Sequence, residues 1–250
     1  MKLISLNTWG GRAGKEKLLE FFSRHKDVDI FCLQEIWSGG EHEIQGFDWA
    51  EGAVTQILTN IAEILTDHKV FFYPHYKDFF GLSIFVRNGL KIIEEGDIFV
   101  YKDRGDVLAD SNKPANSPRN LQYLTIETPH GVRTILNFHG LWNGGGKTDA
   151  PERLIQSDNI TKFIKELSNP HVLVGDFNLL PDTQSLKKLE DFGLRNLIKE
   201  HGITSTRSSY YTKPARFADY TLVSKDIKVN EFKVLPDEVS DHLAMYLDFE

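Results

Sequence analysis

The chain has 250 residues, 40% of them hydrophobic and 26% charged, with nine prolines, which excludes a fibrous, low-complexity or disordered protein. A chain of this length buries one large core, so residues 1–250 are expected to form a single domain. Its net charge of −7 gives no general attraction for polyanions, because nonspecific nucleic-acid affinity comes from Lys and Arg neutralising phosphates.

In chain order, the apolar runs and their periods predict a strand at Lys2 to Asn7 and a helix at Lys15 to His25 with Leu18, Leu19 and Phe22 on one face. A strand follows at Asp29 to Gln34, then a helix at Val54 to His68 carrying Ile57, Leu58, Ile61, Ile64 and Leu65, then a strand at Leu82 to Val86. Lys102 to Arg119 is rich in Asp, Asn, Ser, Pro and Gly without periodicity and predicts a long surface loop. Strands at Leu121 to Glu127 and Arg133 to His139 flank Thr128-Pro129-His130-Gly131, the composition of a hairpin turn. Pro151 to Leu167 predicts a helix with proline in its first turn, and strands follow at Val172 to Asp176, Tyr220 to Val223 and Leu243 to Phe249. Strands alternating with helices are the pattern of a layered α/β or α+β fold.

No apolar run approaches the roughly 20 residues that span a bilayer, and Met1-Lys2-Leu3-Ile4-Ser5 turns polar too soon for a secretory signal. The expected location is the cytoplasm. Cys32, the single cysteine, lies in Ile30-Phe31-Cys32-Leu33 and is expected to be buried and inert, in keeping with a reducing compartment.

Asn7, Glu35, His139, Asp176, Asn178, Asp219, Asp241 and His242 all fall at the ends of apolar runs. Strand ends are where residues distant in sequence converge in layered α/β proteins. Val174-Gly175-Asp176-Phe177-Asn178 places two oxygen-bearing side chains at i and i+2, on one side of an extended chain. Carboxylates gathered in a low dielectric need either a proton or a cation. Carboxylates and amides without cysteine favour Mg²⁺ or Mn²⁺, hard ions that take oxygen ligands.

Six blocks in order carry a resemblance over nearly the whole chain: Ile4-Ser5-Leu6-Asn7-Thr8-Trp9, Leu33-Gln34-Glu35, Asn137-Phe138-His139-Gly140-Leu141, Gly175-Asp176-Phe177-Asn178, Ala218-Asp219-Tyr220 and Ser240-Asp241-His242. Together they resemble the endonuclease/exonuclease/phosphatase superfamily. The resemblance implies a four-layer α/β sandwich, two packed mixed β-sheets flanked by helices, with a metal-dependent phosphoesterase site at one edge. It assigns Glu35, Asn7 and Asp241 to the metal shell and makes Asp176, with Asn178, the group that orients the attacking water and acts as base. His242 would bind and polarise a phosphate oxygen or pair with Asp241, which orients it. His139 would face the scissile phosphate with Asp219 behind or beside it.

The expected substrate is a small phosphate ester such as a nucleotide or phospholipid headgroup. A DNA or RNA nuclease is the alternative, and a non-catalytic binding module disagrees with the full set of motif residues. His-Gly-Leu at 139–141 is similar to the block of the deoxyribonuclease, sphingomyelinase and 5-phosphatase branches, whereas the tyrosine-containing block of apurinic-site nucleases is missing. Arg119 and Asn120 are candidate phosphate contacts or a solvated loop end. Lys147, after Gly144-Gly145-Gly146, either reaches an anionic substrate from a rim or sits in a connector. Arg207 and Arg216 flank Tyr210 and Tyr211, which either stack on a nucleotide or, the preferred reading, belong to the core.

Overall fold

The computed structural model describes residues 1–44, 47–104 and 117–250. In chain order its strands are β1 (Lys2–Asn7), β2 (Ile30–Trp37), β3 (His68–Tyr76), β4 (Phe80–Arg87), β5 (Lys91–Tyr101), β6 (Arg119–Thr128), β7 (Gly131–His139), β8 (His171–Asp176), β9 (Arg195–Asn196), β10 (Asp219–Val223), β11 (Val229–Val234) and β12 (Met245–Phe249). The helices are α1 (Lys15–Arg24), α2 (Ile57–Ile64), α3 (Pro151–Glu166), α4 (Gln184–Asp191) and α5 (Leu197–Glu200).

The strands form two six-stranded mixed sheets, ordered β11-β12-β1-β2-β4-β3 and β5-β6-β7-β8-β10-β9. Side-chain alternation explains how they stack. In the first sheet Ile4, Leu6, Phe31, Leu33 and Phe85 cluster with Leu18, Phe21 and Phe22 of α1 and Ile57 and Ile61 of α2. The alternate residues Leu3, Ile30, Cys32, Ile84 and Val86 join the second sheet's Ile135, Val172 and Val174, in a cluster that also takes Ile160 and Ile164 of α3 and Leu186 and Leu189 of α4. The result is the four-layer sandwich. Cys32 is fully buried and burial pushes its thiol pKa up, so it carries no thiolate.

A polar seam fixes one sheet against the other close to the site. The Gln34 amide donates to Asn137 Oδ1 at 2.7 Å, and Asn137 Nδ2 donates to Leu33 O and Ser83 O, each at 3.1 Å. Every one of these side chains is buried, so the bonds specify one mutual placement of the sheets rather than a sliding contact.

Several boundaries differ from expectation. The helix expected over Val54 to His68 is confined to α2, and His68 opens β3. Strand β2 runs on to Trp37, so Glu35 lies inside it at a register shift between Leu33 and Ile36. The turn at 128–131 is present: Thr128 pairs with Gly131, and Thr128 Oγ1 accepts from His130 N–H at 3.1 Å. Most of the loop expected over Lys102 to Arg119 lies outside the described residues, and Arg119 itself opens β6.

Candidate active site

The register of the second sheet brings three site residues into one row. Parallel pairing of β7 with β8 sets His139 opposite Asp176, and antiparallel pairing of β8 with β10 sets Asp219 opposite Asp176. Two glycines permit this closeness. A Cβ on Gly175, which has φ +139°, would lie 1.9 Å from Phe138 O, and one on Gly140 would lie 2.2 Å from Phe177 O.

The first sheet contributes Asn7 from the end of β1 and Glu35 from the register shift inside the adjacent parallel strand β2. Asn7 Nδ2 donates to Glu35 Oε1 at 3.1 Å and to Asp176 Oδ2 at 2.9 Å, joining the two sheets. His139 Nε2 lies 4.0 Å from Glu35 Oε1 and 3.7 Å from Asp176 Oδ2. Asp176 Oδ1 accepts from Asn178 N–H at 2.8 Å, and Asn178 Oδ1 accepts from Lys147 Nζ at 2.6 Å. Lys147 therefore reaches the site. Glu35 (φ 55°), Asn178 (φ 54°) and Trp9 (φ 50°), all lining the cavity, are three of the five non-glycine residues with left-handed backbone among the described residues. Asn tolerates that region; Glu and Trp adopt it only where surroundings enforce it.

His242 is held from behind. Its Nδ1 is 2.8 and 2.9 Å from the two Asp219 oxygens, while Nε2 faces Asp176 Oδ2 at 3.5 Å and Arg207 Nη1 at 2.6 Å. With Nδ1–H donated to a carboxylate, Nε2 is left to accept from Arg207. This corrects two expected pairings. Asp219 stands behind His242 rather than His139, and Asp241 Oδ2 is bound to Arg207 Nη1 at 2.8 Å, with Asp241 Oδ1 at 3.6 Å from His242 Nε2.

Burial alone would raise the Asp176 pKa, but His242, Lys147, His139 and Arg207 outweigh it and hold the carboxyl below the usual carboxylate range. Burial, with Arg119 nearby, pushes His139 down to about 3, leaving it neutral. For His242, burial and Arg207 act downward, yet Asp219, Asp241 and Asp176 together raise it.

Arg119 lines the cavity with its guanidinium held by neutral groups: Nε donates to Gly140 O at 3.1 Å and Nη1 to Pro118 O at 3.0 Å and to Ser117 Oγ. Burial lowers its pKa to about 10, where it is still charged at neutral pH. Asn120, the next residue, points the other way, as strand alternation requires; its amide is bound to Tyr73 O and to Asp97 Oδ2 at 2.9 Å. The expectation that Asn120 contacts substrate is thus not met. Tyr210 and Tyr211 are not core residues either: Lys17 Nζ donates to Tyr210 Oη at 2.9 Å, and the Arg207 guanidinium lies 4.1 Å from the Tyr211 ring centroid at the cavity wall. Arg216 is exposed.

The cavity over these groups has a volume of about 380 Å³. Arg12, Arg119, Lys147, Arg207 and Lys213 line it against Glu35, Asp176 and Asp241, a local basic excess in an acidic protein. Sequence reasoning did not single out Arg12 or the aromatic wall of Trp49, Tyr76 and Phe80, which lie in no motif block.

For a cation, the chemistry of the donor set is decisive. The Glu35 and Asp176 carboxylates converge on the NH₂ of one Asn7 amide, whose oxygen accepts from Trp9 N–H, and two carboxylates so placed suit a hard divalent ion. Asp176, Asp219 and His242 also gather ligand atoms within 4.8 Å, but His242 Nδ1 already serves Asp219 and its Nε2 faces Arg207. That cluster is organised for a proton, whereas the Asn7, Glu35 and Asp176 cluster fits a metal.

Residues 4–242 match the Endonuclease/Exonuclease/phosphatase family. The chain belongs to that family. It is accordingly a phosphoesterase, a hydrolase of phosphate esters. Similar solved structures include a functionally unknown conserved protein of Enterococcus faecalis V583 (18% identity, 100% of this chain and 99% of that one covered, TM-score 0.75). The mannosyl-6-phosphatase of Bacteroides thetaiotaomicron VPI-5482 gives the same identity, coverage and TM-score. TDP2 of D. rerio, described with a single-strand DNA product, is 17% identical, with 100% and 98% covered and a TM-score of 0.69. At these identities the likeness is one of fold. No curated protein matches the sequence. Among the described residues no helix is long and apolar enough to cross a membrane.

Proposed function

We propose that this family member is an Mg²⁺-dependent hydrolase of small phosphate esters, with Mn²⁺ as a substitute ion. The observation that carries the reading is the convergence of Asn7, Glu35, His139, Asp176 and the Asp219-backed His242 on one basic cavity. Asn7 and Glu35, with Asp176 beside them, would hold the ion. When bound, it would draw negative charge from a phosphate oxygen and stabilise the charge that develops in the transition state.

The protein's own groups supply the rest. Asp176, ionised throughout the working pH range, accepts a hydrogen bond from the attacking water and aims it at phosphorus. A carboxylate so strongly held is a weak final base, so the water's proton passes to His242 Nε2, 3.5 Å from Asp176 Oδ2, as Arg207 exchanges its hydrogen bond there for one to the substrate phosphate, and Asp219 stabilises the charged imidazole. His139, kept neutral, donates a hydrogen bond from Nε2 towards the phosphate or leaving oxygen without adding a charge. Arg119, Lys147 and Arg207 supply positive potential at the phosphate.

A cavity of about 380 Å³ suits a compact ester better than a duplex, and with the net charge it favours this reading over a nuclease. The mannosyl-6-phosphatase among the similar folds acts on a small phosphate ester, which accords with the same choice. The test is a metal titration of phosphate release. Glu35→Gln is expected to raise the Mg²⁺ concentration at half-maximal rate at least about tenfold, the scale expected for a lost carboxylate ligand. An unchanged Mg²⁺ dependence removes Glu35 from the metal shell.

A further inference from the structure

Four tryptophans occur in the chain, and the packing explains two of them. Trp37 is fully buried and stacks on Trp49, with centroids 5.2 Å apart and planes at 26°, inside the aromatic cluster beside α1 and α2. Trp9 and Trp142 belong to neither hydrophobic cluster and have no ring partner among the described residues. Both line the cavity, and Trp142 is 44% exposed there. An indole left at a cavity wall without packing partners is available to a ligand.

Their positions in the chain are specific. Trp9 comes two residues after Asn7, at the end of β1, and Trp142 three residues after His139, at the end of β7. The two rings thus rise from opposite sheets beside the residues assigned to the metal and the phosphate. Trp9 is also strained, with φ 50°, a region that a bulky residue enters only under constraint. Two hydrogen bonds hold it there: Trp9 N–H donates to Asn7 Oδ1 at 2.9 Å and Trp9 O accepts from Arg12 Nη1 at 2.8 Å. Core packing gives no reason for this strained backbone. A requirement to present the indole to the cavity does.

Arg119, Lys147 and Arg207 supply the cavity with charge for a phosphate, and the Trp9 and Trp142 indoles add aromatic surface to the same wall. We propose that Trp9 and Trp142 form a ring-binding subsite, so that the esters taken by this protein carry a small ring-bearing alcohol, whether sugar, nucleoside or aryl. This rests on the phosphoesterase reading for the phosphate position but makes a claim of its own about the alcohol. Indole faces hold flat rings by stacking and by contact with C–H faces, and one ring plus one phosphate fits the available volume.

Phosphonates, whose C–P bond the enzyme cannot hydrolyse, separate binding from turnover. With Mg²⁺ present, calorimetry should show phenylphosphonate binding the wild-type protein on the order of tenfold more tightly than propylphosphonate, the scale of one stacking contact. In Trp9→Ala/Trp142→Ala that ratio should fall below about threefold, and Trp9→Phe/Trp142→Phe should restore most of it. Trp142→Ala alone, at an exposed rim that folding does not depend on, should already lower the ratio. Equal affinity for the two phosphonates in the wild type, or an undiminished ratio in both alanine variants, would overturn the proposal. Phosphate release from phenyl phosphate, a hexose 6-phosphate and a nucleoside 5′-monophosphate then identifies the ring, with glycerol 3-phosphate as the ringless reference. Turnover of glycerol 3-phosphate as efficient as the best of the three counts against the subsite. No phosphate release from any ester, with the phosphonate ratio intact, would defeat the phosphoesterase reading and leave the subsite standing.

Discussion

Replacing Asp219 by Asn removes one charge and one lone-pair set while keeping the shape of the side chain. Both Asp219 oxygens lie within 2.9 Å of His242 Nδ1, so whichever way the new amide turns, its NH₂ group stands against that nitrogen. If His242 keeps its proton on Nδ1, that N–H has only the neutral amide oxygen to bond, with the NH₂ crowding it at the same distance. If the proton moves to Nε2, the new Nε2–H confronts Arg207 Nη1 at 2.6 Å. Either outcome loses a charge-assisted hydrogen bond worth about 1.5–3 kcal/mol and adds a repulsion. At about 1.4 kcal/mol per tenfold, Asp219→Asn should lower kcat at least about 100-fold. Thr206 Oγ1, which donates to Asp219 Oδ2 at 2.8 Å, can still donate to the amide oxygen or turn to accept from its NH₂, so the melting temperature should shift by only a few degrees. The assay is steady-state phosphate release with Mg²⁺, beside a thermal melt. A kcat within about threefold of wild type would refute the coupling between Asp219 and His242 on which the proton path depends.

Other perturbations follow from the same geometry. Arg119→Met removes a buried guanidinium that has only neutral partners, and kcat/KM should fall at least about tenfold through loss of phosphate binding, as read by initial rates. Gly175→Ala places a Cβ 1.9 Å from Phe138 O on a residue at φ +139°; urea denaturation should show a loss of about 3 kcal/mol or more, or no folded protein. His75 is fully buried, and burial, with Arg119 and His139 nearby, sets its pKa well below the ordinary value. Unfolded histidine takes a proton near about pH 6.5 while native His75 does not, so stability falls as pH drops below that value. His75→Phe should lessen the fall in urea midpoint between pH 7 and pH 5, and an unchanged fall would contradict the assignment.

The strands legible in the sequence share a physical property. β1, β2, β4, β6, β7, β8, β10 and β12 are the interior strands of the two sheets, and their apolar runs announce them. The strands that reading missed, β3, β5, β9 and β11, are the four edges. Pro74 inside β3, and Glu94, Glu95 and Asp97 along β5, interrupt the apolar pattern as edge strands commonly do. At the site, the residues at interior strand ends were legible because few other roles suit buried Asp, Asn and His there. Partner choice was not. Whether Asp219 backs His139 or His242, and whether Asn120 or Arg119 faces the cavity, depends on cross-strand register and on side-chain alternation from a strand start that sequence locates only to within a few residues. Arg12 stayed invisible for another reason: its guanidinium is fixed by the carbonyls of Trp9, Trp49 and Glu51, and local sequence does not foretell a partner from about forty residues away.

The most direct measurement is phosphate release from a panel of sugar phosphates, mononucleotides, sphingomyelin-like diesters, inositol phosphates and nucleic acids, in EDTA and after restoring Mg²⁺, with Asp176→Ala as the blank. The account predicts turnover of a small ester that EDTA abolishes, Mg²⁺ restores and Asp176→Ala lowers by at least about two orders of magnitude. Full activity in EDTA or in the Asp176→Ala protein would contradict it.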